Sequence, residues 1–409
     1  MMNYKILTII LFIVVFLYRQ VLTILKLRST RNPIPENVAD IYDAATYEKW
    51  QSYRREKCRL SFFESIVTLA VDIVLVAADL YAAWAGLFPD TVFWQLFAVL
   101  LLSTLTVVFT LPFTYYDTMK IEEKYGFNRT KKGTFAVDQV KEMIISLGIL
   151  TFVTWLLAVM HWGLGDKMIL VFAIALSVLI FGFAFLYPIL SRVFNKFTPL
   201  EEGELRDKLT ALLTKHGYTV RAIEVMDGSK RSTKANAYFT GFGKLKTIVL
   251  YDTLLEKLTP DEICAVFAHE LGHGVHKDTL KGQVMTVVQM LLLSVLAWLT
   301  VRTEDIFLDF GFTAVNYGLA VILILSVEFA LIAPLFGILV NALSRRHEYR
   351  ADHFAVEEGY GPALISGLKK IVKADFGDVA PSRALVILEY SHPSLSQRID
   401  AIAKAEASL

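Results

Sequence analysis

His269-Glu270-Leu271-Gly272-His273 sets two imidazoles four residues apart. At about 100° per residue, positions four apart share one helical face, one turn above the other. Two imidazoles stacked this way can grip one zinc ion from the same side. Glu270 lies between them, placed to reach a water on that metal rather than the metal itself. This is the H-E-x-x-H arrangement, in which the glutamate serves as general base. The flanks predict a helix. Pro260 follows Thr259, Asp261 and Glu262 add negative charge to the first turn, and Ile263, Val266, Phe267 and Leu271 form an apolar stripe.

Outward from this stretch the chain is strongly apolar. Of its 409 residues 55% are hydrophobic, and the mean hydropathy is +0.49. That composition excludes an ordinary soluble protein and calls for several membrane spans. Runs of spanning length cover residues 4–25, 62–88, 91–116, 143–161, 167–194, 280–301 and 312–343, which predicts seven spans. The first lacks a basic head and a small-residue cleavage site, so it reads as a retained span rather than a signal peptide. Asp72 and Asp79 are predicted to share a face of the second span, and Glu328 lies within the seventh; such carboxylates should face a bundle interior. Cys58 and Cys264 make no disulfide framework.

Basic residues orient the spans. The connection between spans one and two carries Arg28, Arg31, Lys49, Arg54, Arg55, Lys57 and Arg59. The one between spans three and four carries Lys120, Lys124, Arg129, Lys131, Lys132 and Lys141. The intervening loops carry almost none, so the basic loops are placed in the cytoplasm and the N-terminus outside. Four segments follow: 1–194 with five spans, 195–279 as a cytoplasmic insertion bearing the histidine helix, 280–343 with two spans, and 344–409 as a cytoplasmic tail. Within the insertion, residues 204–215 read as a helix, and 218–226, 235–239 and 247–251 as strands, the last two joined around Gly241-Phe242-Gly243.

Two histidines need a further ligand. His276 sits about 10 Å along the helix from His269 and cannot join them. Cys264 points away from the histidine face and reads as core packing. Glu348 and Asp352, four apart on the helix leaving span seven, are better placed. One can bind the metal while the other orients a ligand histidine through its second ring nitrogen. In the tail, Ser391-His392-Pro393 and Arg398 offer groups able to stabilise an oxyanion, although a plain surface turn fits their spacing as well.

These motifs together resemble the integral-membrane CaaX prenyl proteases of type I, a zinc metalloprotease family. Asn32-Pro33-Ile34-Pro35 with Ile41-Tyr42-Asp43, and Ile121-Glu122-Glu123-Lys124-Tyr125-Gly126-Phe127-Asn128, look like its two cytoplasmic loops. Asn236-Ala237-Tyr238 resembles its substrate-holding edge strand. His269, Glu270, His273, Glu348 and Asp352 match its metal-site positions, and His392 and Arg398 its C-terminal element. The resemblance implies an all-α multi-span membrane protein. Seven transmembrane helices would surround an intramembrane chamber, with a small α+β cytoplasmic zinc-peptidase domain.

It further implies one zinc ion on His269, His273 and Glu348, with Asp352 behind a ligand, Glu270 as base, and His392 and Arg398 at the oxyanion. Hydrolysis near the C-terminus of prenylated substrates is the implied reaction. The expected partners are a peptide or protein substrate and membrane lipid, with no nucleic acid, and the chain is expected to be a monomer. It is shorter than eukaryotic members and ends without a KDEL-type signal, so a bacterial cell membrane is expected, or the endoplasmic reticulum membrane if it is eukaryotic. A quality-control zinc protease is the alternative within enzymes. A seven-span receptor or transporter is the alternative outside them, but it has no need of a metal helix paired with Glu348.

Overall fold

The computed structural model describes residues 3–234, 236–240 and 245–409, with the side chains of 166, 183–189, 220, 239, 240, 245, 246, 279 and 328 left out. The predicted turn Gly241-Phe242-Gly243, the strand residue Ala235 and the Glu328 side chain fall outside this description.

Six helices among the described residues are long and apolar enough to cross a membrane: Tyr4–Ser29, Ala44–Ala77, Val92–Glu122, Lys132–Leu164, Leu280–Arg302 and Tyr317–Glu357. A seventh helix, Met168–Phe194, is 27 residues long, with a described apolar stretch over Met168–Gly182. The seven predicted runs each fall on one of these. Between 6% and 35% of each spanning helix's most apolar window is buried by protein. Such helices are walls rather than a packed core.

Several helices outrun their apolar runs. Ala44–Ala77 begins well before residue 62, because a water-exposed helix needs no hydropathy. Asp43 accepts from the Thr46 N–H at 2.7 Å to cap it. It also ends earlier than predicted. Asp79 takes a left-handed conformation, φ 54°, and starts a separate short helix, Leu80–Ala85. Asp tolerates that region better than most residues, and Lys5 Nζ meets its carboxylate at 2.6 Å. Asp72 and Asp79 therefore do not share a helix face, contrary to expectation. The seventh span starts at Tyr317 rather than 312, widens into a π turn at Ile324–Glu328, and continues as Phe329–Glu357 without a break. We call this last helix the glutamate helix, and Pro260–Val275 the histidine helix.

The insertion forms a four-stranded sheet in the order β1-β2-β4-β3, with β1 Phe197–Pro199, β2 Thr219–Met226, β3 Ala237–Thr240 and β4 Leu245–Tyr251. β2 and β4 are parallel, while β3 lies antiparallel to β4 and forms the edge. Leu209 and Leu213 from helix Glu204–Lys215, Ile248 and Leu250 from β4, and Leu271 from the histidine helix share a core with Phe354, Leu364 and Ile402. Segments 195–279 and 344–409 are thus one packed unit.

Both basic loops close onto that unit. Trp50 Nε1 donates to the Phe376 carbonyl at 2.9 Å, and Asn32 Nδ2 to the Ala380 carbonyl at 2.7 Å. The second loop is laced to the segment before β3: Arg129 N–H donates to Arg231 O at 2.9 Å, and Thr233 N–H to Phe127 O at 3.1 Å.

Candidate metal centre

The histidine helix starts as its sequence demands. Thr259 and Glu262 form a capping box with Pro260 in the first turn. Glu262 is further pinned by Ser366 Oγ at 2.6 Å and Lys370 Nζ at 2.7 Å, which ties the helix start to Gly361–Ala374. Cys264 is fully buried, and burial pushes its thiol up to about 11. It is core packing, as its position on the helix suggested.

The histidine and glutamate helices cross at Gly272, inside the H-E-x-x-H stretch. A Cβ there would stand 3.1 Å from Ala351 Cα and 3.1 Å from Phe354 Cβ. This close approach brings His269, 5% exposed, and the half-buried His273 to Glu348, 4% exposed. His269 Nε2 lies 3.4 Å from Glu348 Oε2, and His273 Nε2 lies 3.2 Å from Glu348 Oε1. Replacing Gly272 with alanine forces backbone apart. It should destabilise by about 1–3 kcal/mol and lower metal content, read by thermal melting and elemental analysis. Full metal at an unchanged melting temperature would mean that the crossing does not set the site.

The three groups suit a metal ion. Ligand atoms at about 2.0–2.1 Å in a tetrahedron stand roughly 3.3 Å from one another, close to the two separations between the imidazoles and Glu348, and all three groups lie within 4.8 Å. Glu348 Oε2 is buried and makes no hydrogen bond, although Arg398 Nη1 is 3.5 Å away. Such an orphan carboxylate oxygen asks for a cation. At His269 burial pulls the imidazole pKa down, but Asp352 and Glu348 outweigh it and leave it raised, to about 9. The pocket is built to hold positive charge. His276 takes no part: its Nδ1 lies 2.8 Å from the Gly272 carbonyl.

Asp352, 1% exposed, stands 2.9 Å from His269 Nδ1. Arg398 grips it in a fork, Nη2 to Oδ1 at 2.6 Å and Nε to Oδ2 at 2.9 Å. Here the geometry departs from expectation. Arg398 was placed at the oxyanion, yet it spends two donors on Asp352 and aims the third at Glu348. Long, buried and bidentate, it fits a fixed structural partner better than a group poised for substrate. His392 reaches the site from the tail, Nε2 3.4 Å from Glu348 Oε1, with Nδ1 2.9 Å from Ser391 Oγ. Its side chain is more than half exposed, so it remains available to a ligand. The Glu270 carboxylate is close enough to act electrostatically on both His392 and Arg398.

Sequence reasoning missed Asp278. Its Oδ2 stands 3.2 Å from His273 Nδ1, as Asp352 stands behind His269.

Asn236-Ala237-Tyr238 opens the edge strand. Ala237 pairs with Leu250, and Tyr238 with Val249. The Asn236 carbonyl accepts from Tyr251 N–H at 3.1 Å. The Ala237 N–H, on the opposite side of that peptide, turns to the open edge and donates to Asn236 Oδ1 at 2.9 Å.

Comparison with known proteins agrees with this arrangement. Residues 23–196 match the model of the CAAX prenyl protease N-terminal region, described as five membrane helices, and residues 199–406 match peptidase family M48. The chain is 31% identical to a CAAX prenyl protease 1 homolog from Oryza sativa subsp. japonica, over 97% of this chain and 96% of the relative. It is 30% identical to CAAX prenyl protease 1 of Saccharomyces cerevisiae, over 92% and 89%. The crystal structure of S. mikatae Ste24p superposes with a TM-score of 0.92 at 26% identity, covering 98% of this chain and 99% of that one. A spanning bundle, an H-E-x-x-H helix against a carboxylate as third candidate ligand, and matches along both halves make this chain a membrane metalloprotease belonging to peptidase family M48, with the N-terminal region of the CAAX prenyl proteases.

Proposed function

We propose that this chain is a membrane-embedded zinc endopeptidase that hydrolyses peptide bonds near the C-terminus of prenylated CaaX-type proteins. The observation that carries the proposal is the His269, His273 and Glu348 cluster, whose donor atoms all lie within 4.8 Å of one another, with Glu270 beside it. These three would hold one zinc ion. When bound, the ion supplies Lewis acidity toward water and the scissile carbonyl.

The remaining work belongs to the chain's own groups. An extended substrate adds to the β3 edge, taking the Ala237 N–H from Asn236 Oδ1. Glu270 accepts a proton from the attacking water and returns it to the leaving amine. His392 Nε2 donates toward the carbonyl oxygen as charge develops there. Asp352 and Arg398 hold the His269 ring by its far nitrogen. Every one of these groups comes from a single chain, which suits a monomer. The packing of both basic loops on the peptidase unit, with the rule that positive loops stay inside, supports a site toward the cytoplasm.

The test is cleavage by reconstituted protein of a farnesylated CaaX peptide, its unprenylated form and an unfolded membrane protein. The farnesylated peptide should be favoured. Ala237→Pro, which removes the outward N–H, should slow its cleavage with zinc content intact. Faster turnover of the unfolded protein would favour quality control instead, and unchanged turnover in the proline variant would sink the strand assignment.

A further inference from the structure

Asp278 is the first residue of the helix Asp278–Arg302. The chain reverses into it through Lys277, a non-glycine residue at φ 57°, and this turn folds Asp278 back beneath His273. Four basic groups face its carboxylate. His273 Nδ1 lies 3.2 Å from Oδ2, Lys281 Nζ 3.3 Å and His347 Nε2 3.7 Å from Oδ1, and Arg350 makes a close ion pair. The side chain is 6% exposed, so the carboxylate itself is buried, while Lys281 and Arg350 reach it from the surface. An acid in a first turn is ordinarily explained by the helix dipole. That explanation does not account for an oxygen aimed at an imidazole nitrogen. Arg350 comes from the glutamate helix, two residues after Glu348 and two before Asp352.

We propose that Asp278 is a positioning residue for His273, fixed in turn by Arg350, so that each imidazole of the metal pocket has its own His–Asp–Arg relay. This rests on the reading of His273 as a metal ligand. A carboxylate on Nδ1 holds the proton there, leaves the Nε2 lone pair free toward the metal, and locks the ring plane. The two relays are anchored differently. His269 is held through Asp352 by Arg398, from the C-terminal helix Leu395–Glu406. His273 is held by the start of the sixth spanning helix and by the end of the seventh. Both relays draw on the glutamate helix, through Asp352 and Arg350, but one is completed from the C-terminal helix and the other from the first residue of a spanning helix.

The test uses the full-length, detergent-purified chain, with zinc affinity measured by chelator competition and ring geometry by the visible spectrum of the cobalt(II)-substituted protein. Asp278→Ala should weaken zinc binding about 10- to 100-fold and shift the cobalt bands. Asp278→Asn keeps an acceptor for the Nδ1 proton and should recover most of the affinity. A merely structural ion pair behaves otherwise: its loss lowers the melting temperature, leaves the cobalt spectrum of folded protein unchanged, and is not rescued by asparagine, which cannot pair ionically with Arg350. Wild-type affinity and spectrum in Asp278→Ala overturn the proposal. If that variant does not accumulate, Arg350→Gln takes its place, with a several-fold loss of affinity and a cobalt shift expected; wild-type values there overturn it equally. His273→Ala is the control. Undiminished zinc affinity in that variant means that the ligand reading, not the relay, has failed.

Discussion

Glu270→Gln is expected to keep zinc, fold and peptide binding while cleavage falls by roughly 10²–10⁴-fold, the usual worth of a positioned general base. Glu270 follows His269 directly, so it sits near the metal but about 100° around the helix from the ligand face. Its charge acts on His392, whose side chain is more than half exposed at the site. Glutamine has the same size and can still hydrogen-bond a water, but it has no basic oxygen to take the proton. The assay should pair single-turnover cleavage of a farnesylated peptide with zinc analysis of the same preparation. Near-normal turnover on every peptide tested would remove Glu270 from the role of base.

Glu348→Ala is expected to empty the site. Among the described residues, the side chain is the only carboxylate whose two oxygens each face one of the paired imidazoles, at 3.4 and 3.2 Å. Without it, two histidines remain, below the three protein ligands of ordinary catalytic zinc sites. The loss also strips His392 Nε2 and Arg398 Nη1 of the oxygens they face. Asp352→Ala should be milder, about 10- to 100-fold in affinity, because it removes the support of a ligand rather than a ligand. Retention of one zinc per chain by Glu348→Ala would falsify the ligand set.

The sequence carried the existence of the spans well, since an apolar run is a local property. It carried their ends poorly. The first half of Ala44–Ala77 is polar and held by Trp50 packing against Val379, Leu395 and Ile399, far along the chain. Nothing local announces that contact, nor the π turns at Asp117–Glu122 and Ile324–Glu328. The histidines and the Glu348 and Asp352 pair were legible because four-residue spacing is itself chemistry on a helix. Asp278 was not, since its place under His273 depends on a left-handed turn at Lys277, a residue with no special liking for that conformation. The Asp352 partner of Arg398 was not legible, because a bidentate grip is set by how the C-terminal helix docks. Gly272 drew no notice as an unconstrained position of the motif, yet it sets the distance between the two ligand helices.

The unbroken course of the glutamate helix has a further consequence, for which bond a lipid-anchored chain can present. Its outward aliphatic side chains end with Leu335, Leu339 and Leu343, and Glu348 follows five residues after the last. At about 1.5 Å per residue the metal ligand stands roughly 7.5 Å beyond the apolar boundary. An extended peptide covers about 3.3–3.6 Å per residue, so a tether of about two residues spans that gap. The helix thus acts as a ruler. A substrate whose anchor stays at the boundary offers only the bonds immediately next to the anchored residue, and inserting one helical turn between Leu343 and Glu348 would move the reachable bond outward by between one and two residues.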